Sequence, residues 1–332
     1  MKRVKLFRRV CTAAAVCLLT SILAGTIGIY AGDDRTEGGG FGTPEEAVSA
    51  YIEGLCNGDI RQMLSACAVE SYVEGYDLEA SIERTEALMP VIGNIYLPAA
   101  GKMSEGLNLE TRKQQLVTMI KIQYLTLCGS KMLVGEEALQ THSIDDGSAE
   151  DLIREYLPVR EPEITFSGEI LPPVTLLPDK YFMFFNQRSI TQFCSTIGAE
   201  QLVDRVAVVY VDGKMSLVLL GVICYNGNWY VTNGGYLANM LGLPNSSGGA
   251  VPLYLDEENR LSDDELAIYL SNPSLLAVLN TITQELENID MKQILSLDDM
   301  EAQEAAYEEE MEKAISRLPS QDQEFIEQFL DR

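Results

Sequence analysis

Residues 205–232, RVAVVYVDGKMSLVLLGVICYNGNWYVT, decide the fold of this chain. The dipeptides Asp212-Gly213 and Asn226-Gly227 divide the stretch, and both favour type I′ hairpin turns because Asn, Asp and Gly tolerate positive φ. The runs between them are predicted as strands at Arg205–Val211, Lys214–Tyr225 and Asn228–Thr232. Because Val218–Ile223 is apolar on both faces, we expect this antiparallel meander to be covered on both sides.

Helical patterns dominate the sequence before the meander. Thr43-Pro44-Glu45-Glu46 supplies an N-cap threonine, a proline at N1 and a glutamate at N3, which is a capping box. Asn57-Gly58 ends that helix and Asp59 caps the next one. Further helices are predicted near Leu78–Leu88, Glu110–Cys128, Ala149–Leu157 and Arg188–Ile197, with one strand at Glu163–Leu171. The pattern predicts an α+β fold.

Residues 256–332 predict an acidic, all-helical extension. They hold 21 acidic and five basic residues, a net charge of −16. Helices are expected from Asn272-Pro273, from about Asp298 and after Pro319-Ser320. Three one-sided apolar stripes make a thin core, so we expect the extension to dock on the preceding domain rather than to fold freely. The docking stripe is predicted as Leu275, Leu279, Ile282 and Leu286, with Glu308–Glu310 facing solvent.

The first 31 residues predict export from the cytoplasm. Five basic residues precede an uncharged run from Val10 to Ala31, which is the order of a secretory signal. The run is also long enough to span a bilayer, so residues 1–31 are either a cleaved signal peptide or a retained transmembrane anchor. In both cases the positive-inside rule places the body of the protein outside the cytoplasm, secreted or membrane-anchored. Residues 32–42 are interpreted as a Gly-rich flexible linker.

Composition limits the partners. The 332 residues include 50 Asp and Glu against 24 Lys and Arg, a formal net charge of −26. Phosphate binding needs a basic surface, so DNA and RNA are excluded as partners. The single histidine excludes every metal motif that needs two. Beyond residue 31 the cysteines are odd in number and have apolar neighbours, so we expect buried free thiols. They are Cys56, Cys67, Cys128, Cys194 and Cys224.

Two patches of the sequence resemble the NTF2-like fold of secreted or membrane-anchored Gram-positive bacterial proteins. The first is Thr43–Val48 with Tyr51, Gly54-Leu55 and Gly58-Asp59, which looks like the first two helices of that fold. The second is Tyr225–Val231, which is similar to the Y-x-G-x-W-x-V ending of its last strands. The resemblance implies helices packed on a curved antiparallel sheet, a cone with a pocket at its mouth, and homodimers through the open face of the sheet.

The family's usual core does not supply the residues between Tyr72 and Glu169. We therefore expect an NTF2-like α+β domain at 43–255 with a helical insertion at about 72–169, which could cap, fill or replace the pocket. No catalytic residue can be carried over from the resemblance.

Aromatic residues on the predicted strands are the candidate ligand-binding site. Trp229, Tyr230, Tyr225 and Tyr210 could line an apolar cavity with polar tips, as the resemblance implies for small hydrophobic ligands. The alternative is that these side chains are core residues. No catalytic motif, metal site or cofactor-binding motif is predicted. His142 is expected in a polar loop, and the acids at 256–265 fail the EF-hand register and are better explained as a helix start.

Three functions remain open from the sequence. The first is a non-catalytic extracytoplasmic binding or interaction protein for an unknown protein or a small apolar ligand. The second is an isomerase-type enzyme that uses a carboxylate inside the cone. The third is a cell-surface assembly factor that acts through the acidic helical tail. A carboxylate with a polar partner inside the cone would favour the second over the first.

Overall fold

The computed structural model describes residues 35–85, 96–98, 100–128, 161–176, 180–232, 249–252 and 270–330. The export segment at 1–31, the helix predicted at 149–157, His142 and the acidic residues 256–265 lie outside the described residues. Among the helices that are described, none combines the length and the apolar character that a membrane span requires.

An antiparallel sheet that curls into a half-barrel forms the centre of an α+β fold. Strands β1 to β4 are neighbours in chain order, and β5 pairs with β3 beyond the end of β4. The strands are β1 (Ile164–Leu171), β2 (Gln201–Val211), β3 (Lys214–Tyr225), β4 (Asn228–Val231) and β5 (Ala250–Pro252). The predicted meander is confirmed, since Val211 pairs with Lys214 and Tyr225 pairs with Asn228.

Both hairpin turns have the backbone that their sequences predict. Asp212 and Gly213 have φ values of 49° and 79°, and Asn226 and Gly227 have values of 52° and 74°. Two successive positive φ values define a type I′ turn, whose twist matches that of the flanking strands. The two turns therefore fix the register of β2, β3 and β4.

Ten α-helices accompany the sheet in the described part of the chain. They are α1 (Pro44–Cys56), α2 (Ile60–Ser65), α3 (Glu70–Gly75), α4 (Leu78–Thr85), α5 (Lys102–Cys128), α6 (Lys180–Ile197), α7 (Pro273–Glu287), α8 (Met291–Leu295), α9 (Met300–Ser316) and α10 (Ser320–Leu330). A short 3-10 helix covers Pro173–Thr175. The predicted caps are confirmed at Thr43, Asp59 and Asn272, whose side chains accept backbone N–H groups of the first turn.

The main core lies between α1 and the sheet. α1 contributes an apolar face that is completely buried, and β2 and β3 contribute alternate valines, leucines and alanines. Because successive side chains of a strand point to opposite faces, the other set from β2 and β3 faces a second layer. The residues of the first set are Ala47, Val48, Tyr51, Ile52, Val203, Ala207, Val209, Val218, Leu220 and Val222.

A second cluster covers the opposite side of the sheet, where Ile190, Cys194 and Ile197 of α6 pack with Leu202 and Ile223. The apolar β3 is therefore buried on both faces, as its sequence predicts.

The C-terminal helices α7 to α10 share one apolar cluster with α6 and the 3-10 helix. Leu279, Ile282 and Leu286 are buried in it, and Leu275 is partly buried. Val174 of the 3-10 helix and Phe184 of α6 are buried with them. The predicted stripe thus docks on α6 and the 3-10 helix. Glu308 and Glu309 are exposed and Glu310 is half-buried.

Residues 35–42 differ from the expected flexible linker. Glu37 is buried and its carboxylate accepts the backbone N–H groups of Val69 and Ser71, each at 2.9 Å. In return, the Glu70 carboxylate accepts the N–H groups of Thr36 and Glu37 at 2.7 and 2.9 Å. The glycines of residues 35–42 favour a flexible linker. The buried Glu37 carboxylate nevertheless holds this segment against the start of α3.

All five cysteines of the described residues are free. Cys67, Cys194 and Cys224 are buried, whereas Cys56 and Cys128 are half-buried. Burial raises the pKa of each of these thiols. They behave as the small apolar residues that the sequence predicts.

Candidate ligand-binding cleft

Two of the four predicted aromatic residues lie in the buried cluster between the sheet and α6. Tyr225 and Tyr230 are 6% and 5% exposed. Tyr225 Oη donates a hydrogen bond to the carbonyl oxygen of Ile197 at 3.0 Å. Burial raises the pKa of both phenols. The positions of these two tyrosines fit the alternative that the sequence left open, in which they are core residues.

The other two aromatic residues lie apart from that cluster. Trp229 is half-buried against the core between α1 and the sheet, and its backbone pairs with the segment before α1. Tyr210 is half-buried near the opposite end of the meander, where it pairs with Met215. The structure therefore brings together two of the four predicted residues.

The space between α1 and the sheet is filled. Apolar side chains occupy it, and the Tyr51 hydroxyl donates to the Gln123 side-chain oxygen at 2.6 Å within it. The fully buried residues described in this layer include no carboxylate, and the partly exposed Glu45 of α1 pairs with Arg205 of β2. A pocket of the cone type is therefore not open in the described part of this layer.

A buried carboxylate lies on the other side of the sheet. Asp204 of β2 is 2% exposed and accepts a hydrogen bond from Asn186 Nδ2 of α6 at 3.2 Å. Asn186 also lines a cavity of about 40 Å³ together with Thr283 of α7. A cavity of that size has room for water but not for an organic substrate.

A much larger cleft, of about 610 Å³, lies where α1, α2, α5 and the start of β1 meet. Its volume falls in the range of roughly 300–1,000 Å³ that is typical of small-molecule sites. Most of its wall is apolar, and three helices and a strand contribute to it. The apolar wall residues include Leu55, Met63, Val117, Ile120, Tyr124 and Ile164.

Local backbone geometry fixes one wall of the cleft. Gly58 has a φ of +64°, which lets the chain reverse between α1 and α2. The Asp59 carboxylate then accepts the N–H groups of Arg61 and Gln62 at 3.0 Å and starts α2. A Cβ on Gly54 would lie only 2.9 Å from the backbone nitrogen of Met63, so the two helices pack in direct contact.

The rim of the cleft is polar and charged. Lys121 of α5 faces the cleft together with Glu161 and Glu163, which precede β1, and all three are exposed. No ion pair joins any of them to another described residue. Cys56 also lines the cleft, and burial, with a smaller contribution from Glu53, raises the pKa of its thiol. The arrangement can bind an apolar molecule with a polar end, and the protonated thiol is a poor nucleophile.

A buried arginine organises the neighbouring layer of tyrosines. Arg112 of α5 is completely buried; its Nε donates to the Ala68 carbonyl oxygen and its Nη2 to Thr232 Oγ1, each at 2.9 Å. The guanidinium carbon lies 3.8 Å from the ring centroid of Tyr72, in a cation–π contact. Arg112 thereby ties α5 to α3 and to the end of β4, and so holds one wall of the cleft in place.

A second buried arginine connects the C-terminal helices to the sheet. Arg205 of β2 donates to both carboxylate oxygens of Glu287 at 2.6 and 3.1 Å, and its Nε donates to Glu45 of α1 at 2.7 Å. Burial alone would lower the pKa of Arg205, but the Glu287 and Glu45 carboxylates raise it. The guanidinium therefore remains charged and joins α1, β2 and α7.

No cluster of metal-ligating side chains occurs among the described residues. The cleft residues come from three segments that are far apart in sequence, and none of those segments carries a binding motif. The one feature of these segments that could have pointed to a binding site is Ile60, an exposed isoleucine at the start of α2.

Comparisons of this chain with protein-family models, curated proteins and solved structures found no match. The curled antiparallel sheet with its helices is compatible with an α+β cone fold.

Proposed function

We propose that this chain is an extracytoplasmic, non-catalytic binding protein with an NTF2-like core, and that it binds a small apolar ligand. The observation that carries the proposal is the cleft of about 610 Å³ between α1, α2, α5 and β1. An apolar wall with a few polar groups at its rim is the usual character of a ligand pocket. The extracytoplasmic location is proposed from the basic start and the uncharged run of residues 10–31.

Binding is better supported than isomerisation. The layer between α1 and the sheet contains Tyr51 and Gln123, and its described carboxylate, Glu45, is already paired with Arg205. The buried Asp204 adjoins a residue that lines a cavity of only about 40 Å³. A general base must reach the proton that it removes, and Asp204 lines neither that cavity nor the cleft of about 610 Å³.

Binding through the cleft is also better supported than assembly through the acidic tail. The tail's buried stripe packs in one cluster with α6 and the 3-10 helix, so the apolar residues of that stripe are not available to a partner. Its exposed face is acidic, and an acidic face is also typical of a well-solvated secreted surface.

The proposal can be tested by ligand retention and by variants of the cleft. Native mass spectrometry of purified residues 32–332 should detect a retained small molecule, and a fluorescent apolar probe should bind and be displaced by it. Ile60→Glu puts a charge at the cleft, where Ile60 is 51% exposed, and should weaken probe binding about tenfold or more.

The matched control is Leu107→Glu, because Leu107 is 50% exposed on α5 but does not line the cleft. This control should leave probe binding unchanged. Probe binding that is equally insensitive to both variants, or no binding at all, would refute the cleft as the ligand site.

A further inference from the structure

We propose that the cleft selects positively charged amphiphiles, that is, ligands with an apolar body and an amine or quaternary ammonium group, over anionic ones. The inference rests on the proposed function and adds the charge class of the ligand. It follows from where the charged groups of the rim lie and from the charge of the chain around them.

The rim of the cleft carries two carboxylates and one ammonium group. Glu161 and Glu163 flank Pro162 at the start of β1, and Lys121 lies on α5. A Cβ placed on Gly58 would be 4.0 Å from Glu161 Oε1, which locates that carboxylate beside the turn between α1 and α2. Glu161 thus lies at the cleft edge, next to apolar wall residues, where a ligand's polar end would emerge.

Neither carboxylate is neutralised by the described protein. Within the described part of the chain, the Glu161 and Glu163 side chains make no ion pair or hydrogen bond, and the same is true of Lys121. A cationic head group would therefore gain an attraction without displacing any contact that the described residues make to these two carboxylates. An anionic head group could use Lys121 but would be repelled by both glutamates.

The wider charge of the chain acts in the same direction. The formal net charge is −26, and residues 129–160, which connect the α5 side of the cleft to its β1 side, hold seven acidic and three basic residues. A negative net charge of this size attracts cations to the protein and repels anions. Local and global electrostatics therefore both favour a cation.

The experiment compares three probes with the same decyl chain: decyltrimethylammonium, decanol and decanoate, each below its micelle concentration, by displacement of the fluorescent apolar probe. We expect the ammonium to bind at least about tenfold more tightly than decanoate in about 10 mM salt, which is a difference of about 1.4 kcal/mol. The preference should shrink in about 500 mM salt, because the exposed carboxylates are screened.

The double substitution Glu161→Gln with Glu163→Gln should reduce the ratio of ammonium to alcohol affinity towards one. Glu169→Gln is the matched control, because Glu169 lies on β1 but does not line the cleft, and it should keep the preference. Lys121→Gln should widen the preference for the cation.

The outcomes separate the two proposals. If none of the three probes binds, the proposed function fails. If all three bind with similar affinity, or if decanoate or decanol binds most tightly, the cleft remains a ligand site and the charge inference is overturned.

Discussion

Two buried tyrosine hydroxyls differ in whether they have a hydrogen-bond partner. Tyr307 of α9 and Tyr51 of α1 are both completely buried. The Tyr51 hydroxyl has a partner in Gln123, whereas that of Tyr307 has no hydrogen-bond partner in the described structure. Burying a hydroxyl without a partner costs about 1–3 kcal/mol, so the Tyr307 hydroxyl carries a cost that the Tyr51 hydroxyl avoids.

We therefore predict that Tyr307→Phe and Tyr51→Phe change stability in opposite directions. Tyr307→Phe keeps the ring, which lies 5.4 Å from that of Phe184, and should raise the free energy of unfolding by about 1 kcal/mol. Tyr51→Phe removes a made hydrogen bond and should lower it by about 1 kcal/mol. Urea unfolding of both variants measures the difference, and a loss of stability in Tyr307→Phe would contradict the assignment.

The buried thiols predict a pH dependence of stability. Burial raises the pKa of Cys67 and of Cys194 to about 12, whereas an unfolded thiol has a pKa of about 8.5. The folded protein therefore binds more protons than the unfolded chain between these values. Stability from these groups is complete below about pH 8.5 and is lost as the pH rises towards 12.

Urea unfolding between about pH 8 and pH 11 tests this prediction. The free energy of unfolding should fall above about pH 9 by about 1.4 kcal/mol per pH unit for each of the two thiols. Cys194→Ala should reduce that slope. A free energy that stays constant over this range would show that the two thiols are not buried in solution.

At the scale of single helices and turns, the sequence correctly predicted the features whose interacting residues lie close together in the chain. The turns at Asp212-Gly213 and Asn226-Gly227 and the cap at Thr43 each use residues within four positions of one another. α3 was not predicted, because its own N-cap residue, Val69, makes no side-chain cap. Its cap comes from Glu37, more than 30 positions earlier.

The cleft was not predicted from the sequence for the same reason, because its residues are far apart in the chain. The aromatic residues that the sequence singled out all lie in the meander of β2, β3 and β4, whereas the cleft is assembled from α1, α2, α5 and β1. Lys121, Glu161 and Ile60 carry no pattern that links them before the chain folds. Only the packing of α5 against α2 and the main core brings these residues to one cleft.

The contact between α3 and α6 gives an element-scale prediction. Gly198 follows α6 with a φ of +62°, and a Cβ there would overlap the carbonyl oxygen of Gly75; a Cβ on Gly75 would overlap that of Ile197. Gly198→Ala should therefore combine backbone strain of about 1–2 kcal/mol with a clash of about 1–3 kcal/mol.

The control for this prediction is Gly213→Ala. Gly213 has a φ of +79°, but no atom lies within 4 Å of the position that a Cβ would take there. The control should therefore lose only the backbone part, about 1–2 kcal/mol. Thermal or urea unfolding compares the two. Equal losses in both variants would show that α3 and α6 are not in contact through their glycines.

At the scale of the whole molecule, one question is whether the acidic C-terminal helices stabilise the preceding domain. Two kinds of contact join them. Phe184 and Val174 are 1% and 3% exposed in the cluster formed with α7 to α10. Arg205 forms its bidentate pair with Glu287 of α7. The tail is therefore expected to be part of one cooperative unit with α6 and the sheet.

Truncation after Leu255 tests that expectation while it retains β5, whose Ala250 is buried in the main core. Removal of the tail exposes Phe184 and Val174, at a cost of about 1.5–3 kcal/mol for each side chain, and leaves the buried Arg205 without its main partner. The truncated protein should unfold at a lower urea concentration, and amides of α6 should exchange faster with solvent than in the full chain.

A point variant separates loss of docking from failure to fold. Glu287→Ala in the full chain leaves every apolar contact of the cluster in place but removes the bidentate partner of Arg205. Breaking a buried ion pair from one side costs about 3–5 kcal/mol, and Glu45 still binds Arg205, so a loss towards the lower end is expected. Glu309→Ala is the control, because in the described structure Glu309 is exposed and pairs with exposed Lys313, so the variant should keep nearly the stability of the parent. If the truncated domain and Glu287→Ala both keep the stability of the parent, and α6 keeps its protection, the tail is an independent arm that is free to bind a partner. If both lose stability together, the ion pair and the shared apolar cluster join sheet, α6 and tail into one folding unit.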